Sequence, residues 1–377
     1  MRDFSMLKAF MDDIMSKVSV SGIDCIVYQD HQEIFRHTAG YGDIEQKTPP
    51  MPGSLYNIYS GTKMIVCVAA LQLLERGLLS IFDPVAAYLP EFRNMLVKYA
   101  HFTVTPAQKP ILISDLFTMT AGISYDPISP EIVKLRTETN GDFGTRDFVS
   151  AIAREPLWFE PGTGWHYSYC HDVLGAVIEV VSGMSLGEYL RKNIFEPLGM
   201  KDSGFSVQPG QEHRLAPQYQ YNPATGITAR ISCDCIGRSG TRHESGGGGL
   251  ISTPEDYILF IDAMACGGTG KSGARIISPH TIDLLRTNRL DGKQMEDFRR
   301  MALVPGIGYG LGVGVFYDPI AAGRIVPKNS FYWGGVGGLQ NLVDTENRIS
   351  YHVAQHTVLC PKEYFAPGMT NALYACL

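Results

Sequence analysis

The run from Met64 to Leu74, MIVCVAALQLL, is apolar at every position except Gln72, and Gly77 stands just beyond it. A segment apolar around its whole circumference fits only in a protein interior, and its length and terminal glycine predict a helix buried on all faces. The rest of the chain has to enclose it. The start of this helix is chemically out of place. Lys63 falls in the first turn, where the macrodipole favours acids and the surroundings exclude water. Ser60 stands three residues earlier, and on a helix positions i and i+3 share a face, so hydroxyl and amine can meet. Ser60-Gly61-Thr62-Lys63 is an S-x-x-K pattern. The plain alternative is that Ser60 is an N-cap; a capping box would then place Glu or Gln at position 63, where the sequence has the opposite charge. A lysine held in a dry site is expected to have a lowered pKa and can then serve as the base for a serine nucleophile.

Composition narrows the partners. With 377 residues, 45% hydrophobic and 19% charged, the chain can build one large domain or two intimately packed ones. A formal charge of −6 offers no basic face, so neither nucleic acid nor an anionic membrane is an expected partner; a small-molecule substrate is. No segment reaches the ~18 unbroken apolar residues of a membrane span. Phe4, Leu7, Met11, Ile14 and Val18 recur at helical spacing among acids and lysines, which predicts an amphipathic surface helix instead of a signal peptide, and hence a cytoplasmic chain or one whose leader has been removed. The eight cysteines are scattered, and the pair Cys233 and Cys235 has no second pair or nearby His to complete a zinc site, so no metal or cofactor is expected.

DCIVYQDHQEIFRHTAGYGD reads as a β-hairpin. From about Asp83 to Glu244, helical segments alternate with Pro- and Gly-rich loops: ISDLFTMTAG, TRDFVSAIARE, DVLGAVIEVVSG and LGEYLRKNIFEPLGM. After the glycine run GGGG, Thr253, Pro254 and Asp256 mark another helix start at N-cap, N1 and N3. Strands then dominate: YGLGVGVF, RIVP, SFYWGG, LQNLVDT and ISYHVAQHT. Short strands and tight turns indicate an antiparallel sheet. The expected architecture is α/β (α+β): residues 1–82 and 245–377 form a discontinuous sheet-containing domain, residues 83–244 a mostly helical insertion, and the site lies between them.

FEPGTGWHYSYCHDVLG offers partners for Ser60. Tyr167, projecting from a loop before a helix, can relay a proton between a lysine and a leaving group. His166 and His171 are rival bases. In FYWGGVGG, glycines within an apparent strand suggest close approach of a ligand to the backbone. One N–H from Gly334 to Val336, with that of Ser60, would make a two-donor oxyanion hole. GMSLG fits the G-x-S-x-G pattern, but the preceding segment reads as a helix ending at Gly183, which makes Ser185 the cap of the next helix.

Together these segments resemble the serine β-lactamase and penicillin-binding-protein superfamily, in the branch of class C β-lactamases, D-aminopeptidases and family VIII carboxylesterases. Ser60 to Lys63 is similar to the S-x-x-K motif, Tyr167-Ser168-Tyr169 to the tyrosine motif, and Trp333-Gly334-Gly335 to the third motif, K-T-G in β-lactamases. LFTMTAGI, PGTGWHYS, EPLGMKDSGF, GGGGLISTPEDY and GYGLGVGVF resemble further stretches of the family in the same order, so the likeness covers nearly the whole chain. It implies the β-lactamase/transpeptidase fold. It also implies Ser60 as acylated nucleophile, Lys63 and Tyr167 sharing acid and base work, Ser60 and Val336 N–H groups as oxyanion hole, and Trp333, Gly334, Gly335 and Tyr169 lining the substrate. The third motif lacks its lysine, which in relatives helps hold a carboxylate, and W-G-G is similar to family VIII esterases. Ser168-Tyr169 stands where class C enzymes have a residue followed by Asn. The resemblance therefore implies a carboxylesterase acting on esters or amides; β-lactamase, D-amino-acid peptidase or amidase, and acyltransferase are the alternatives within the superfamily. A non-catalytic scaffold of the same fold is the alternative outside it.

Overall fold

The computed structural model describes residues 2–99, 103–233 and 242–377, without the side chains of 362–364. Helix α1 (Ser5–Lys17) buries Leu7, Met11 and Ile14, the stripe set by its spacing. Strands β1 (Ile23–Gln29) and β2 (Gln32–Ala39) form the expected antiparallel hairpin. Its turn places Asp30 and His31 at φ 48° and 65°, the left-handed pair that matches the twist of the flanking strands.

The chain then enters α2 (Thr62–Glu75), buried at every residue from Thr62 to Leu73. Gln72, its one polar interruption, donates its amide N–H groups to the carbonyls of Asn193 and Ile276 at 3.0 and 2.8 Å, which pairs its nitrogen inside the core while Oε1 bonds nothing among the described residues. Helix α2 packs against α3 (Cys170–Ser182). Later come α4 (Pro254–Ala265), strands β3 (Ile307–Tyr309), β4 (Gly314–Phe316), β5 (Phe331–Tyr332), β6 (Gln340–Asp344) and β7 (Ile349–Ala354), and α5 (Lys362–Cys376).

These strands form one seven-stranded antiparallel sheet in the order β2–β1–β7–β6–β5–β4–β3. The two ends of the chain meet where β1 pairs β7, with Cys25 opposite Val353. Every residue of β7 is buried, so both sheet faces are covered. Neighbouring residues show by what: the His352 ring stacks on Tyr257 of α4 at 5.0 Å, while Tyr351 Oη reaches Met369 Sδ of α5 at 3.7 Å.

Between the two halves of the sheet the anticipated helices form at Ile113–Thr118, Thr145–Ile152 and α3, joined by Pro130–Glu138. LGEYLRKNIFEPLGM begins as a helix, Leu186–Leu190, and passes through a π turn at Arg191–Phe195. Two hairpins in this middle region had no counterpart in the sequence reading. Leu96–Lys98 pairs with Val104–Pro106, and Gln218–Asn222 pairs with Ile227–Ile231. Thr357–Val358 joins the second hairpin in parallel, a pairing over more than 130 residues that local pattern cannot show. RIVP is irregular, not a strand; Pro327 has no N–H to give a ladder. Helix α3 does end at Gly183, with φ 69°, and Ser185 Oγ accepts the Glu188 N–H at 3.2 Å as the next cap. Cys235 lies outside the described residues. Among the described residues no single helix is long and apolar enough to cross a membrane.

Candidate active site

Ser60 sits in a single 3-10 turn, Tyr59–Gly61, that feeds directly into α2. Tyr59 adopts φ 47°, a left-handed conformation that costs a bulky residue roughly 1–3 kcal/mol and persists only where surroundings enforce it. Three contacts enforce it here. Tyr56–Asn57 pairs with Ile251–Ser252, the Ile58 N–H bonds Leu250 O at 3.1 Å, and Tyr257 Oη of α4 donates to Gly61 O at 2.8 Å. Gly61, not Ser60, is the N-cap of α2, and no side chain caps it. The Ser60 hydroxyl is thereby left for other partners.

Those partners are the two expected. Tyr167 Oη lies 2.5 Å from Ser60 Oγ, and Lys63 Nζ lies 3.3 Å from the same oxygen. Lys63 is fully buried, and its ammonium also donates to Gly247 O and rests 4.6 Å from the centre of the Tyr167 ring. One detail departs from expectation. Burial alone pulls the Lys63 amine down, but the negative poles of Tyr167 and Tyr125, the hydrogen bond with Tyr167 and the charge of Asp172 together raise it above an ordinary lysine. Lys63 is therefore a held cation, not the neutral amine that dryness by itself predicts.

Asp172 and the glycine run build the floor beneath that cation. Buried in the first turn of α3, Asp172 accepts from Ser245 Oγ at 2.6 Å and the Gly247 N–H at 3.3 Å, and lies 3.6 Å from His243 Nε2. Burial pushes its carboxyl up, but the His243 hydrogen bond and charge, Ser245 and Lys63 bring it below the usual range. A Cβ on Gly247 would stand 2.3 Å from Asp172 Oδ2, and one on Gly246 2.3 Å from His171 O. Only glycine allows this loop to pass between α3 and Lys63. Its N–H faces the Asp172 carboxylate and its carbonyl the Lys63 ammonium, so the residue links the two charges.

The Trp333 loop closes the other side. A Cβ on Gly335 would be 2.5 Å from Ile58 O, so glycine brings this loop against the residues preceding Ser60. Gly335 N–H turns back to Leu339 O at 3.1 Å, which leaves the next residue, Val336, on an exposed bend. The Val336 N–H bonds nothing among the described residues. Trp333 is buried and stacks on the Tyr167 ring at 6.0 Å, its carbonyl held by Asn341 Nδ2 at 3.0 Å. In front of Tyr167 opens a cleft of about 480 Å³ lined by Tyr125, Asp126, Pro127, Trp158, His166 and Tyr167.

The other candidates stand apart from the hydroxyl. The His166 ring lies against Trp158 at 4.2 Å and lines the cleft without bonding Ser60; burial lowers its basicity. His171 is fully buried, bonded through Nε2 to Phe117 O at 3.3 Å, and burial with the charge of Lys63 brings it down to about 3. Tyr169 packs edge-on against Phe148 and tilted against Tyr125 at 4.7 Å, one layer behind the cleft. Sequence reasoning missed Tyr125, Trp158, Gly247 and Asp172. An acid in a helix's first turn reads as ordinary dipole complement; only its neighbourhood marks Asp172 as part of the site.

Comparison with known proteins identifies the family. The Beta-lactamase family profile matches residues 7–358. The chain is 29% identical over 361 residues to Esterase EstB of Burkholderia gladioli, covering 90% of this chain and 86% of that one. It is 30% identical over 315 residues to the Lovastatin esterase of Penicillium rubens, covering 80% and 73%. EstCE1, described as a hydrolase with promiscuous acyltransferase activity, shares the fold with a TM-score of 0.82 at 23% identity over 98% of both chains. With a profile match spanning the sheet, the buried helix and all three motif-bearing segments, this chain belongs to the beta-lactamase family.

Proposed function

We propose that this protein is a serine hydrolase that cleaves ester or amide bonds of small uncharged molecules through an acyl-enzyme on Ser60. The observation that carries the reading is the Ser60 hydroxyl held between Tyr167 Oη at 2.5 Å and Lys63 Nζ at 3.3 Å. Ser60 Oγ attacks the substrate carbonyl and its proton passes to Tyr167 Oη, which reacts as the phenolate paired with the Lys63 ammonium. Lys63, as a cation beside both oxygens, stabilises the negative charge that develops on them. The N–H groups of Ser60 and Val336 receive the carbonyl oxygen as it becomes an oxyanion. Tyr167 then hands its proton to the departing alcohol or amine. In the second half, water gives its proton to Tyr167, attacks the acyl carbon and frees Ser60.

Trp333 supports an uncharged acyl group, since an aromatic ring stands where a carboxylate-binding relative has a lysine. EstB and the Lovastatin esterase, by their names, are esterases. A second reading, transfer of the acyl group to an alcohol in place of water, is supported by the acyltransferase activity in the description of EstCE1. The test is intact mass and peptide mapping after incubation with a fluorophosphonate and a panel of p-nitrophenyl esters. An adduct on Ser60, and ester turnover lost in Ser60→Ala, are expected. A folded protein without an adduct on Ser60, turning esters over no faster than Ser60→Ala, would mark it as a non-catalytic scaffold. Product partition between water and added alcohol separates hydrolysis from transfer.

A further inference from the structure

A second constellation lies where the β1–β2 turn meets the end of α4. Asp262 and Cys266 stand one helical turn apart at the C-terminal end of α4, and the hairpin turn brings His31 to them. The ligand atoms of His31, Asp262 and Cys266 all lie within 4.8 Å of one another. His31 Nδ1 is 2.7 Å from Asp262 Oδ2, and Cys266 Sγ is 3.9 Å from Asp262 Oδ1. Asp262 is completely buried while His31 and Cys266 are partly open to solvent.

We propose that His31, Asp262 and Cys266 form a binding site for a divalent cation of the zinc class, with a solvent-side fourth position taken by water. A tetrahedral zinc ion with bonds of ~2.0 Å to nitrogen and oxygen and ~2.3 Å to sulfur sets donor separations of roughly 3.3–3.7 Å. The His31–Asp262 and Cys266–Asp262 separations, 2.7 and 3.9 Å, lie on either side of that range, so small side-chain adjustments bring these donors to it. The donor set also selects the ion: a thiolate and an imidazole favour zinc-class metals over magnesium or calcium. Thiolate and carboxylate supply two negative charges, which match the dication at a carboxylate otherwise buried with a histidine and a weak thiol contact. Binding breaks the His31–Asp262 hydrogen bond, forms one bond to each of N, O and S, and releases the thiol proton to solvent. Burial, with Asp262 and Asp30 beside it, pushes the Cys266 thiol up to about 12, so it is protonated without a metal. A coordinated dication reverses that preference.

The test uses the whole protein, titrated with Co²⁺ as a spectroscopic probe and then with Zn²⁺. The expected result is one equivalent of Co²⁺ bound with a thiolate-to-cobalt charge-transfer band, displaced by Zn²⁺, and Zn²⁺ protection of Cys266 from alkylation. Cys266→Ser should abolish the band, and His31→Asn, which tolerates the left-handed turn, should weaken binding by about 100-fold or more. Ester turnover in both variants reports that the fold is kept. No charge-transfer band in the parent protein, or an unchanged band and affinity in Cys266→Ser, would overturn the proposal. The second result would place the metal on other thiols.

Discussion

Replacing Tyr167 with Phe removes one oxygen and leaves the ring, which makes it the cleanest probe of the proposed chemistry. The phenyl group still stacks on Trp333, 6.0 Å away in the native structure, and still covers Lys63. The lost atom is the one 2.5 Å from Ser60 Oγ. Ser60 retains Lys63 at 3.3 Å, but a cation cannot accept its proton. The loss is then that of a positioned acid–base group, about 100- to 10,000-fold in kcat, or about 3–5 kcal/mol of transition-state stabilisation. Folding stability should fall by no more than the ~1.5 kcal/mol of one hydrogen bond. The assay is single-turnover acylation by a p-nitrophenyl ester, with thermal unfolding as control. KM should change little, since the cleft wall stays in place. Acylation within 10-fold of the parent would refute the assignment, and if His166→Ala were then inactive, the proton would pass through His166.

Lys63→Met should cut ester turnover by at least about 1,000-fold, yet cost no more than roughly 2 kcal/mol in urea unfolding, because the ammonium it removes is desolvated and costly to bury. Asp172→Asn should lower kcat and shift its pH profile with KM nearly constant; a variant that only unfolds more readily, with an unchanged profile, would reduce Asp172 to a structural role. His171, His352 and His356 are buried and held down to about 3, 3 and 4, chiefly by burial. Below the unfolded pKa of about 6.5 the unfolded chain binds more protons than the native one, so stability, full above that pH, falls on acidification. Each histidine should contribute a slope of roughly 1.4 kcal/mol per pH unit until its native pKa is reached. Urea melts at pH 5, 6 and 7 measure it, and a flat profile would show that these rings are not buried neutral.

The segments legible in the sequence were those whose partners lie close along the chain. Periodicity marked α1 and the β1–β2 hairpin, unbroken apolarity marked α2, Thr253-Pro254 marked the start of α4, and Gly183 marked the end of α3. Ser60 and Lys63 were readable together because three residues on a helical turn are neighbours in any fold. The hairpin at Gln218–Ile231 was missed because its strands are short and its first strand pairs with Thr357–Val358 from the far end of the chain. RIVP was misread because β-branched residues alone carry no ladder partner.

Local spacing and hydrophobicity suffice to bury a lysine beside a serine at the head of an apolar helix. What that lysine becomes depends on partners brought from far along the chain. Tyr167 arrives from 104 residues away, Asp172 from 109, and Gly247 from 184. Burial alone would lower the lysine, but Tyr167, Tyr125 and Asp172 together raise it. Whether His31 meets Asp262 and Cys266 was likewise decided by the packing of the hairpin turn on α4. Proton affinity and metal affinity depend on which charges and donors converge within a few ångströms, and that convergence is a property of the folded chain.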